Sequence, residues 1–97
     1  MTYLVEILLP VTGASGNHIH SVRDELTKKF GGVTLHLNVP AEGLWQDDGD
    51  VERDRIVVIE VMTETIDVNW WTAYRKALEN RFEQEEIVVR GIAITRL

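Results

Sequence analysis

Apolar residues run almost without interruption from Thr2 to Pro10, with β-branched Val5 and Ile7 among them, which predicts a first strand. Pro10 has no N–H to give to a ladder and should end it. Turn residues follow from Val11 to Gly16. From Asn17 onward Ile19, Val22, Leu26 and Phe30 recur at spacings of three and four, the apolar stripe of a helix that Gly31 and Gly32 stop. Val33 to Val39 then alternates strictly, with Val33, Leu35, Leu37 and Val39 on one side and Thr34, His36 and Asn38 on the other. Pro40 to Arg55 breaks every such pattern with acids and glycines, and predicts a protruding hairpin or ordered loop turning at Asp48 and Gly49. Ile56 to Met62 is a β-branched run interrupted by Glu60, the mark of a central strand. Asp67 is placed to cap a second helix with Trp71, Tyr74, Leu78 and Phe82 on its stripe, and Ile87 to Thr95 forms a last strand.

Strand, helix, strand, strand, helix, strand in 97 residues predicts a single domain over residues 1–97. The fold class is α+β, a ferredoxin-like βαββαβ sandwich. Its antiparallel sheet holds four strands in the order 4-1-3-2, counted along the chain, with both helices on one face. On that arrangement Val5, Ile7, Leu9, Leu35, Leu37, Val57, Ile59, Val61, Val89 and Ala93 face the helices. The pleat turns Leu4, Glu6, Leu8, His36, Ile56, Val58, Glu60, Met62, Val88, Arg90, Ile92 and Ile94 the other way. Eight of those twelve are aliphatic or Met, too many for a wet surface. The simplest cover is a second copy packed sheet to sheet about a two-fold axis, as in dimeric α+β barrels. The expected partner is therefore another copy of the chain, a homodimer through the open sheet face.

Charge removes several alternatives. Ten Lys and Arg stand against 16 Asp and Glu, and the net charge of −6 repels phosphate backbones and anionic lipid surfaces. Neither nucleic acid nor a membrane is an expected partner. The N-terminal stretch carries Glu6 and no basic leader, so it reads as a strand rather than a signal peptide or span. No cysteine is present, which removes thiolate metal sites and thiol nucleophiles and suits a reducing, cytoplasmic setting.

Candidate chemistry is confined to a few places. Glu6, His36, Glu60 and Arg90 sit among the aliphatic residues of the open face, and the strand order makes Glu6 a neighbour of Glu60 or Arg90. Two carboxylates and an imidazole under cover are the parts of a general acid/base pocket. The plainer account is a Glu6–Arg90 pair that sets the register of a dimer. Trp45 is a large aromatic in a polar stretch and is a candidate ligand-binding residue: a lid, or a cover for the sheet edge or partner subunit.

Asp47, Asp48, Asp50, Glu52 and Asp54 lack the spacing of a calcium loop and read as a solvated hairpin tip, so no metal is expected. His18 and His20 point to different sides of their helix and read as surface residues. Trp71 belongs to the core stripe, leaving Trp70 partly exposed. Ser15 and Ser21 have neither a nucleophile elbow nor a base in fixed relation.

The segments FGGVT, PAEGLW, RDRIVVIEVM, NWWTAYRKALENRF and QEEIVVR together resemble an uncharacterised family of short bacterial proteins, from Phe30 to Arg90. FGGVT followed by GLW, an acidic turn and IVVIEV also resembles, more distantly, another bacterial domain of unknown function. The resemblance implies a recurrent compact domain and carries no activity, catalytic residue or cofactor. Two functional readings remain. One is a homodimeric domain binding a small molecule or protein through the open face and the Trp45 loop. The other is a cofactor-independent enzyme of the dimeric α+β barrel kind, using Glu6, His36 or Glu60 as acid and base.

Overall fold

The computed structural model describes residues 1–11, 16–37, 42–47 and 50–97, and the side chains within those ranges outside 42–55. The elements in chain order are β1 (Thr2–Val11), α1 (Gly16–Phe30), β2 (Thr34–His36), β3 (Glu42–Asp47), β4 (Asp50–Thr63), α2 (Val68–Arg81) and β5 (Val88–Ile94). Without β3 this is the expected βαββαβ succession. The antiparallel order β2-β4-β1-β5 is the ferredoxin-like 4-1-3-2 read from the other edge.

The stretch that breaks the apolar pattern supplies the difference. β3 pairs with the first half of β4, Glu42 opposite Arg55 through Asp47 opposite Asp50, so the central strand is 14 residues long and begins six residues before Ile56. β2 and β3 lie along successive stretches of one edge of β4, and β1 along the other as far as Arg55. The hairpin thus runs on past β1 and gives the molecule a long axis of 46 Å against 26 and 24 Å. The expected turn at Asp48 and Gly49 lies outside the described residues, as do Ser15 and Val39.

Pro10 does not end β1, which continues to Val11. β5 stops at Val88, opposite Leu8, so beyond that point β1 has no neighbour on that side among the described residues. There β1 is paired on one side alone, and an edge position is where a strand tolerates proline.

The helix ends follow their chemistry. Gly31 takes the left-handed conformation, φ 85°, and donates its N–H to the Thr27 carbonyl at 2.8 Å. The Asp67 side chain caps α2 by accepting from the Trp70 N–H at 3.0 Å. At the other end of α2, Glu83 occupies the left-handed region, φ 54°, and the next N–H, of Gln84, closes back on the Glu79 carbonyl at 2.8 Å.

The core lies between the sheet and both helices. Val5, Ile7 and Leu9 of β1 and Val57, Ile59 and Val61 of β4 are buried against Val22 and Leu26 of α1 and Trp71 and Leu78 of α2, with Phe82 and Ile87 closing the layer. Leu35 and Val89 pack against this cluster as partners from the flanking strands. Gly91 also faces inward, opposite Val5, and a Cβ there would stand 2.5 Å from Ile66 Cδ1; glycine lets Ile66 lie against β5.

Two inward assignments fail. Leu37 is 51% exposed, because the β2 ladder stops at His36 and the next residue leaves the pleat. Ala93, near the end of the edge strand, is exposed and outside the core. His18 and His20 are exposed as expected, His18 with its ring edge against Phe82. Among the described residues no helix is long and apolar enough to cross a membrane.

Candidate functional site

Among the described residues, nothing within the chain covers the face away from the helices. Leu4, Leu8, Ile56 and Val58 are half-buried by their neighbours, while Met62, Val88 and Ile92 stand 54%, 45% and 44% exposed. They lie on adjacent strands in register: Leu4 is opposite Met62 on β4 and Ile92 on β5, and Leu8 is opposite Val58 and Val88. The alternation that buries Val5, Ile7 and Leu9 on one side necessarily sets Leu4 and Leu8 on the other.

One polar row crosses this aliphatic surface. Glu6 is opposite Glu60 on β4 and opposite Arg90 on β5, and Glu60 is in turn opposite Thr34 on β2. Two carboxylates directly opposite each other across a strand pair repel. Each is held from its outer side: the Arg90 Nε donates to Glu6 Oε1 at 3.0 Å, and His36 Nε2 lies 2.5 Å from Glu60 Oε1. His36 stands opposite Val58, one pair along from Glu60, and so reaches it diagonally. All four residues singled out in the sequence thus fall in one line, in the order imidazole, carboxylate, carboxylate, guanidinium.

At one end of the row the sheet edge opens into a cleft of about 410 Å³. Its floor is Leu4 and Met62, its wall is Phe30 and the chain from Gly32 to Thr34, and its charged groups are Glu60 and Arg96. The cleft exists because β2 is short. Thr34 is the last residue to pair with β4, opposite Glu60, so Val61 to Thr63 carry no described strand on that side and Gly32 and Val33 pass by unpaired. His36 is not part of its lining.

A second, smaller cleft of about 190 Å³ lies on the opposite side of the sheet, between α2 and β5, where Ile66, Trp71, Thr72, Arg75 and Val89 meet. Arg75 and Arg90 both line it and both are engaged: Arg75 donates to Glu79 Oε2 at 3.0 Å, the same oxygen accepting the Ile87 N–H at 2.9 Å, and Arg90 donates to Glu6 at 3.0 Å.

Arg96, Phe30 and Thr34 were not legible as site residues. Phe30 reads as a core position on the α1 stripe, which it also is, and Arg96 follows the last strand with no pattern around it. Trp45 is in β3, opposite Glu52, and its side chain lies outside the described residues, together with those of the acid-rich run from Asp47 to Asp54. Among the described residues no three His, Asp or Glu side chains are grouped so as to hold a metal ion.

No family model and no curated protein matches the chain. Among solved structures it is similar to the divalent cation tolerance protein (CutA1) from Thermus thermophilus, with a TM-score of 0.63 and 12% sequence identity, over 99% of this chain and 86% of that one. At that identity the likeness speaks for the ferredoxin-like fold alone.

Proposed function

We propose that the chain is a homodimeric binding domain, in which a second copy covers the open sheet face and a small molecule is held at the rim of the covered surface. The observation that supports it is the aliphatic face itself. Fully burying such a side chain is worth roughly 1.5–3 kcal/mol, so recovering half of that for eight of them gives about 6–12 kcal/mol. That is comparable with the roughly 4–15 kcal/mol that association costs in lost freedom, and with a domain's whole stability of about 5–15 kcal/mol. Within such an interface the Glu6–Arg90 pair would set the register, because a sheet slipped along its partner would bury the carboxylates against aliphatic groups.

Light scattering of the protein over a micromolar dilution series tests the pairing. The expected mass is that of two chains, falling toward one on dilution, and an invariant single-chain mass sinks the proposal.

A second reading is favoured by one contact, the His36 imidazole on the Glu60 carboxylate, which is the pairing of a general base with its orienting acid. On that reading the domain is a cofactor-independent enzyme whose pocket closes only in the dimer. It requires His36 to open into the enclosed space together with Glu60. A crystal structure of the dimer in which the imidazole is packed away from any cavity leaves the binding domain as the sole account. Trp45 belongs to either reading as a candidate lid.

A further inference from the structure

The cleft beside β2 has an order to its charges that the register fixes. Glu60 is level with Glu6 on β1, Met62 is level with Leu4 two residues further along, and Ile94 is level with Thr2; Arg96 follows two residues beyond Ile94. Along the strand direction the carboxylate therefore comes first, the Leu4–Met62 floor next, and the guanidinium last, entering over the end of β1. The remaining walls, Phe30 and Val33, are apolar, with the Thr34 hydroxyl beside Glu60.

A carboxylate and a guanidinium on either side of an aliphatic floor complement a molecule with an ammonium, a carboxylate and an aliphatic part. Among the described residues the His36 contact engages Oε1 of Glu60, and Oε2 is the oxygen that would accept from an ammonium. A guanidinium takes a carboxylate in two parallel hydrogen bonds. The cleft volume of about 410 Å³ falls in the range of small-molecule sites, roughly 300–1,000 Å³. We propose that this cleft binds a free amino acid with an aliphatic side chain, the ammonium on Glu60, the carboxylate on Arg96, and the side chain on Leu4, Met62 and Phe30.

This deepens the reading of the chain as a small-molecule-binding domain and names its ligand class. A net charge of −6 disfavours simple carboxylates in the surrounding field, and a zwitterion is indifferent to it. Leu4 and Met62 of the cleft floor belong to the open face, so a copy packed on that face would close the cleft from above.

The test is a titration of the full chain with L-leucine, followed by amide chemical shifts. Two analogues run beside it: 4-methylpentanoate, which lacks the ammonium, and 3-methylbutylamine, which lacks the carboxylate. L-Leucine is expected to move the Gly32, Thr34 and Met62 resonances saturably in the millimolar range. Each analogue should bind about tenfold more weakly or worse, the loss expected for one charge-assisted contact. Arg96→Gln, exposed beyond the last strand where it cannot unfold the domain, should bring L-leucine down to the level of the amine, and Glu60→Gln should bring it down to that of the acid.

Three results overturn the inference: no saturable shift with L-leucine, equal affinity for all three compounds, or shifts centred on Thr72 and Arg75 in the opposite cleft. Light scattering on the same samples separates the two proposals. A dimer indifferent to L-leucine removes the ligand class and leaves the pairing, while a monomer that binds it removes the pairing and leaves the site.

Discussion

Glu25 ties the two helices together where their apolar faces end. Its carboxylate accepts from both terminal nitrogens of Arg81, at 2.7 and 3.1 Å, and from the Tyr74 hydroxyl at 2.9 Å. The Arg81 hydrogen bonds hold the Glu25 carboxyl below its ordinary range against the opposing effect of burial, with Tyr74 adding to the lowering. Burial, and then the hydrogen bond to Glu25, pushes the Tyr74 phenol well above its usual range. A carboxyl whose pKa is depressed by folding contributes stability that is complete above its unfolded value and is lost as the pH falls through the folded one. Glu25→Gln is therefore expected to destabilise the protein by about 0.5–1 kcal/mol at neutral pH, a modest figure because the carboxylate is partly exposed and solvent screens it. Urea denaturation checks this: the gap between the two proteins should narrow as the pH falls through the ordinary carboxylate range and close only once it has passed below the depressed folded value of Glu25.

At the scale of elements, most boundaries follow from residues visible in the sequence. The apolar stripes drew α1 and α2, Gly31 and Asp67 closed and opened them, and β-branched runs drew β1, the second half of β4 and β5. Three boundaries did not follow, and for one reason: each depends on what lies alongside. β1 continues through Pro10 because β5 has already ended, β2 is three residues long although its alternation runs for seven, and β3 forms from an acid-rich segment because β4 extends to meet it. The end of α2 was equally unmarked, since nothing about Glu83 suggests a residue with φ 54°. Glutamate in that conformation is strained where glycine is not. Glu83→Gly is expected to raise stability by about 0.5–1 kcal/mol without altering the fold, read as a higher midpoint in thermal unfolding with an unchanged circular dichroism spectrum.

At the scale of the molecule, the question is what keeps water from the second face of the sheet. If a copy of the chain does so, folding and association are linked, and the unfolding midpoint must rise with protein concentration. Ile92 stands in the middle of the β5 part of that face, opposite Leu4, and has no role in the core. Ile92→Asp should leave the monomer folded, abolish the concentration dependence and lower the midpoint to that of the dilute wild type. A midpoint already flat with concentration in the wild type speaks against any self-association.

Local pattern along the chain carries the six elements of the βαββαβ frame, without β3, the strand pairing that follows from their order, the inward residues of β1 and of the second half of β4, and the presence of Glu6, His36, Glu60 and Arg90 on one face. Period two and period three to four are local properties, and a face is only a period extended. Tertiary structure alone decided that these four residues align into a single row, that β2 stops short to leave a cleft, and that Arg96 closes the far end of it. Register and strand length arise between segments far apart in the chain, where no local pattern records them.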